Sequence, residues 1–234
     1  MKIISLTAVY NRSEVTRIWA AGLKRLPVYP VVVLSGDDPE YYQNLEICKK
    51  ANLYIVSYPN NPLGEKLNEV IKYMLDHFRF DYLMNIDSDD LIHPQLFGVY
   101  KALFDQFHSF FGVNKVYFYN LKTGEIMHST DNVWCAGRCM SRGLLERMKG
   151  SIYFNEDCRG LDQRSAAKIF ERTRIEQELV ETNGFPYVVD IKTIQNLNDW
   201  NFIQSYASPC GFDIIEQNYP KSIIKWLKSS IQAC

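Results

Sequence analysis

The stretch YLMNIDSDDLIHP, residues 82–94, sets three carboxylates, Asp87, Asp89 and Asp90, at the end of an apolar, strand-like run. Like charges a few ångströms apart repel, and removal from water sharpens the repulsion. Either the acids splay into solvent or a cation sits among them. Oxygen-only ligands suit a hard divalent ion such as Mg²⁺ or Mn²⁺. Held by two carboxylates, such an ion keeps most of its shell for water or substrate phosphates. A calcium loop of the EF-hand kind does not fit, because Leu91 and Ile92 stand where a ligand and the turn glycine belong.

Other elements must bring these acids to a usable rim. Residues 3–9, 31–35, 53–58 and 82–86 are apolar runs of strand length. Between them, Val15, Ile18, Trp19, Gly22 and Leu26 keep helical spacing behind a Ser13 cap, and residues 41–51 read as a second helix. Leu67, Val70, Ile71, Met74, Leu75 and Phe78 then recur on one helical face. The first 90 residues therefore read βαβαβαβ, an α/β pattern with a mostly parallel sheet flanked by helices. In such sheets ligands bind beyond the carboxyl ends of the strands. The loops there carry Tyr10-Asn11-Arg12, Gly36-Asp37-Asp38, Gly64 to Asn68, and Asp87 to Asp90.

The second half is less regular. It predicts helices over 94–107, about 163–179 and 221–231, with strands over 115–120 and 185–191. One domain over residues 1–234 is expected, with a regular half over about 1–110 and a less regular half over about 111–205. A helical appendage over about 206–234 completes it. The last helix carries Ile223, Ile224, Trp226, Leu227 and Ile231 with three lysines. Docking on the domain is its first expectation, and peripheral contact with a membrane surface its second.

Bulk properties narrow the classes. The chain has 234 residues, 47% hydrophobic and 23% charged, with net charge −1, so neither disorder nor attraction to nucleic acid is expected. No apolar run reaches the roughly 18 residues of a membrane span, and the first residues do not form a signal peptide. Six scattered cysteines then suggest free thiols in a reducing, cytoplasmic setting. Cys135 and Cys139 lack a second pair at zinc spacing. GxxxxGK[ST], GxGxxG, HExxH and GxSxG are all missing, which disfavours P-loop ATPases, dinucleotide dehydrogenases, zinc proteases and serine hydrolases.

Taken in order, ISLTAVYNR, VVVLSGDD, NPLGEKLNEVI and NIDSDD resemble a GT-A fold glycosyltransferase of the broad family-2 kind. The resemblance spans roughly residues 3–200. It implies a nucleotide-sugar donor, UDP- or GDP-linked, a Mn²⁺ or Mg²⁺ ion, and an acceptor that is a glycan, lipid or protein. By the same resemblance Thr7, Ala8, Tyr10 and Arg12 line the base and ribose pocket. Asp37 contacts the base or ribose, and Lys66 and Asn68 approach the nucleotide. Asp87 and Asp89 are the acids of the DxD motif. Asp89 ligates the metal at the diphosphate, Asp87 reaches ribose or metal-bound water, and Asp90 caps the next segment. Such an enzyme also needs a base for the acceptor hydroxyl. In FNEDCRGLDQRSAAKIF the resemblance points first to Asp162 and second to Asp157, with helix capping the plain alternative for Asp162. Trp134, Ala136 and Gly137 fall in its acceptor-side segment. Relatives of this kind often add a late His as third metal ligand; the last here is His128, leaving Asn196 or Asp199 for that role. The rivals are a sugar nucleotidyltransferase, which would normally carry an N-terminal glycine-rich loop, and a non-catalytic nucleotide- or sugar-binding protein.

Overall fold

The computed structural model describes residues 1–60, 62–130, 132–158, 160–193 and 200–231. The first half is β1 (Ile3–Ala8), α1 (Ser13–Leu23), β2 (Tyr29–Leu34), α2 (Tyr41–Lys50), β3 (Tyr54–Ser57), α3 (Leu63–His77) and β4 (Tyr82–Asn85). Next come β5 (Asp90–Ile92), α4 (Leu96–Asp105), β6 (Phe110–Val113), β7 (Tyr117–Asn120), β8 (Ile126–His128), β9 (Cys139–Ser141) and α5 (Arg142–Arg147). The chain continues through α6 (Leu161–Thr173), β10 (Glu178–Val180), β11 (Val188–Lys192), α7 (Trp200–Gln204), β12 (Ser208–Cys210), α8 (Asp213–Asn218) and α9 (Lys221–Ile231).

Seven strands form the main sheet in the order β10-β6-β9-β4-β1-β2-β3. The β4-β1-β2-β3 portion is parallel throughout, as the alternating pattern of the first 90 residues requires. The late strand β9 inserts antiparallel between β4 and β6. Both faces are covered, so the strands read as continuous apolar runs. Ile4, Leu6, Val31 and Val33 pack towards Leu67, Val70 and Ile71 of α3. Ile3, Val32 and Leu34 pack towards Trp19 and Leu23 of α1.

A second sheet, β12-β8-β7-β11-β5, lies after the acidic turn. Strand β5 grows directly out of that turn and pairs antiparallel with β11, setting Asp90 opposite Asp190. The C-terminal helix α9 buries Ile223 and Leu227 in the core of this sheet with Tyr119, Val189 and Ile191. The Tyr119 hydroxyl donates to the Leu227 carbonyl at 3.2 Å. The apolar stripe of α9 is thus spent on protein, the first of its two expectations.

Three local expectations change. Ser13 opens α1 instead of capping it: Arg12 precedes the helix in the left-handed region, and Glu40 accepts from the Ser13 N–H at 2.6 Å. The helix expected over 163–179 starts at Leu161 and stops at Thr173, where Arg174 has φ 62, and β10 follows. The short strands β5, β6, β8, β9, β10 and β12 had no periodic signal, since three or four residues are too few to show one. No helix among the described residues is long and apolar enough to cross a membrane.

Candidate active site

The loops at the carboxyl ends of β1, β2 and β4 converge as the parallel sheet demands. Tyr10-Asn11-Arg12 leaves β1 with Asn11 and Arg12 both in the left-handed region, at φ 60 and 56. Two successive non-glycine residues there are strained and must be held. Buried Asp38 does so, accepting from the Asn11 N–H at 2.9 Å, the Glu40 N–H at 2.8 Å and the Asn44 amide at 2.8 Å. Asp38 is thereby committed to the scaffold, whereas Asp37 stays exposed on the rim, its carbonyl beside the Tyr10 hydroxyl at 3.4 Å.

The strained turn aims Arg12 across the cleft. Its guanidinium meets Asp89 at 2.9 Å and the Ser88 hydroxyl at 3.3 Å. Asp90 turns its Oδ2 back to the Asp87 N–H at 2.8 Å, closing the acidic turn. Asp190 enters from β11 and pairs with Lys192 at 2.5 Å. Four carboxylates thus surround two cations.

The carboxylates that come closest are Asp89, Asp90 and Asp190, with one oxygen of each within 4.8 Å of the others. Asp87, expected to share the metal with Asp89, sits outside that trio. Asp90 joins it while also closing the turn. Asp190 was not expected from the sequence, although an acid in the middle of FPYVVDI is a signal in itself. Asn196 and Asp199 lie outside the described residues.

Burial dominates the electrostatics of this cluster. Asp87 is itself exposed, yet desolvation by the surrounding cleft, then Asp89, pushes its carboxyl up to about 7. Burial pushes Asp190 to about 7 even though Lys192 opposes it. Burial, Asp87 and Asp190 lift Asp90 well above the carboxylate range. Burial works against the charged forms of Arg12 and Lys192, yet Asp89 and Asp190 hold both above their usual values. Oδ1 of Asp190 is buried without a hydrogen-bond partner among the described residues. Acids set opposite each other on paired strands and an orphaned buried oxygen fit a hard cation.

The remaining expected residues divide into those facing the cleft and those behind it. Ala8 lines the cleft beside Arg12 and Asp87. Thr7 is buried and donates to the Ile86 carbonyl at 2.5 Å, tying β1 to the start of the acidic turn. Lys66 is fully buried and donates to Ser35 at 2.7 Å and Asn60 at 3.0 Å; burial lowers it to about 8. Asn68 is also fully buried, exchanging hydrogen bonds with the Tyr153 backbone at 2.9 and 3.0 Å. These two shape the wall from behind and do not face the cleft.

Asp157 and Asp162 separate in the same way. The Asp157 side chain is 1% exposed, against Arg164 at 2.9 Å. Its carbonyl accepts from the Gly64 N–H at 2.8 Å, seating the 154–157 loop on the first turn of α3. A Cβ on Gly64 would stand 2.0 Å from the Phe154 carbonyl oxygen, so only glycine allows this approach. Asp162 lines the cleft. It lies inside the first turn of α6, where Gly160 is the N-cap, so no capping bond claims its side chain.

Arg138, which carried no sequence signal, fixes this side. Fully buried, it donates to the Asp162 carbonyl at 2.9 Å, the Ser165 hydroxyl at 2.8 Å and the Trp134 carbonyl at 3.1 Å. One guanidinium therefore ties the α6 first turn to the Trp134 segment.

No protein-family model and no curated protein matches the chain. Among solved structures, S. aureus TarS 1–349 in complex with UDP-GlcNAc is similar, with TM-score 0.55 at 15% identity over 87% of this chain and 64% of that one. The same TarS fragment in complex with UDP gives TM-score 0.53 at 14% identity, over 82% and 61%. Glucosyl-3-phosphoglycerate synthase from Mycobacterium tuberculosis gives TM-score 0.50 at 15% identity, over 99% and 80%. The chain spans less than two thirds of the TarS structures. At these identities the likeness is one of fold, and the fold is of the GT-A type.

Proposed function

We propose that the protein is a glycosyltransferase that moves a sugar from a UDP- or GDP-linked donor to an acceptor hydroxyl, with Mn²⁺ or Mg²⁺ bound at the acidic cluster. The observation that carries the reading is one cleft, at the carboxyl ends of a GT-A sheet, holding Asp89, Asp90 and Asp190 together with Asp162. TarS, with a similar fold, has been seen with UDP-GlcNAc.

In this reading Asp89 and Asp190 hold the ion, and Asp90 completes the trio while fixing the turn. The ion, when bound, neutralises charge that develops on the departing diphosphate. Arg12 and Lys192 neutralise the acids and face the same region. Asp37, Tyr10 and Ala8 form the nucleoside side of the cleft, with Thr7, Lys66 and Asn68 supporting it from behind. Asp87, at the cleft mouth, contacts ribose or ordered water. The acceptor oxygen attacks the anomeric carbon as the bond to the diphosphate breaks. The acceptor proton passes to the Asp162 carboxylate, and the nucleoside diphosphate leaves with the electron pair. Asp157, locked against Arg164, serves the loop.

Calorimetric titration with UDP and GDP, each with and without Mn²⁺, tests the reading. Cation-dependent binding of one nucleotide is expected. Indifference to both nucleotide and cation would overturn it.

A further inference from the structure

The wall of the cleft facing the acids is aromatic, and nothing in the chemistry above uses it. Phe118 from β7, Trp134 from the loop before β9 and Tyr206 from the turn after α7 all line the cleft. Phe118 lies edge-to-face with Trp134 at 5.7 Å and with Tyr206 at 6.0 Å. Trp134 and Tyr206 are stacked, with planes 25° apart and centroids separated by 6.2 Å. Phe202 packs edge-on against Tyr206 at 5.3 Å and, at 54% exposure, carries the aromatic surface outward.

This wall is joined to the reacting groups. The Lys192 ammonium lies 5.8 Å from the Phe118 ring centroid. Burial pushes the Tyr206 hydroxyl up to about 12, with Lys192 opposing and Asp190 and Asp162 adding. Asp162 lines the same cleft as Tyr206, Trp134 and Asp87.

An acceptor seated here must offer a hydroxyl to Asp162 and a flat apolar face to the rings. Aromatic faces carry negative charge density and attract polarised C–H groups. A pyranose has both parts, with a C–H face and a hydroxyl rim. A lipid chain would offer the polar groups lining the cleft no hydrogen-bond partner. We propose that the acceptor is a saccharide, its pyranose ring held on the Trp134–Tyr206 wall with a hydroxyl directed to Asp162. This inference rests on the glycosyltransferase reading and names the substrate class of the same site.

Saturation-transfer NMR on the full chain with UDP and Mn²⁺ present tests it. The probes are methyl β-glucopyranoside, methyl β-galactopyranoside and the methyl glycoside of N-acetylglucosamine, with ribitol as an open-chain control. At least one pyranoside is expected to bind, with transfer strongest to ring C–H protons. Tyr206→Ala and Trp134→Ala should each weaken it about tenfold, Tyr206→Phe should restore it, and UDP affinity should not change. Unfolding midpoints check that the variants fold, and Tyr206→Phe covers any that do not. The proposal is overturned if UDP binds but no pyranoside does, if ribitol binds equally, or if the alanine variants bind the sugar as wild type. It is also overturned if UDP-GlcNAc displaces the sugar where UDP does not, which would assign the wall to the donor. Failure of UDP itself to bind would instead remove the glycosyltransferase reading, and this inference with it.

Discussion

The two ends of the cleft are built by opposite means. At the acidic end, charges determine position: Arg12 is fixed by Asp89, Lys192 by Asp190, and the turn by Asp90. At the aromatic end, ring packing and one buried guanidinium do so, with Arg138 gripping the Trp134 and Asp162 backbones. Charge pairing fixes a few atoms strongly but leaves like charges in excess, which a cation can relieve. Ring packing is individually weak, tolerates different ligands and needs a rigid frame behind it. In the proposed reading, the first end grips the diphosphate and the second shapes specificity.

The contrast can be broken most sharply at Asp162, which lines the cleft that both ends share. Asp162→Asn should lower turnover by about 10²–10⁴-fold while leaving nucleotide affinity at the wild-type value. Single-turnover kinetics with parallel calorimetry check this. If Asp157→Asn does so instead, the base lies in the loop. Asp89→Asn attacks the acidic end alone: cation-dependent UDP affinity should fall by about a hundredfold, with the chain still folded by circular dichroism. Unchanged affinity would show that the acidic turn is only a turn.

Arg138→Met attacks the frame of the aromatic end. It should cost about 1–3 kcal/mol in denaturant unfolding and reduce turnover, with nucleotide affinity nearly unchanged. A proportional loss of nucleotide affinity would show that the two ends are not separately framed. The smallest effect is expected at buried Lys66. Lys66 is held near 8 against an ordinary 10.5, so between these values the unfolded chain binds more protons than the folded one. Stability contributed by this group therefore rises with pH across that interval. Lys66→Met should be the more stable protein near neutral pH by about 1–3 kcal/mol, the advantage shrinking towards pH 10.5. Urea unfolding of both proteins across that range measures it.

How legible these features were in the sequence depends on their range. The β1 to β4 series and its helices announced themselves because each is long enough to show a period. The meeting of Arg12 with Asp89 follows from topology, since both stand at the carboxyl ends of neighbouring parallel strands. Asp190 was missed because its meaning depends on β11 pairing with β5, about 100 residues away, in a register that no local pattern specifies. Lys66 and Asn68 were expected at the nucleotide because they stand in the right loop; only packing reveals that their polar atoms turn to Ser35, Asn60 and Tyr153. The aromatic wall gathers Phe118, Trp134, Phe202 and Tyr206 from three distant segments. Asp162 was named from the resemblance and the helix start that follows it; the structure gives the N-cap position to Gly160 and puts Asp162 inside the first turn.

The contact at Gly64 limits how this fold could be taken apart. The α3 first turn and the loop leading to Asp162 touch backbone to backbone, with the Gly64 and Glu65 N–H groups spent on the Asp157 and Asn155 carbonyls. For an engineer this is a seam without tolerance. A donor-side segment grafted from a relative with alanine at that position would push the loop away before any ligand arrived. Exchangeable modules must therefore keep α3 and residues 154–162 together, as one inherited part.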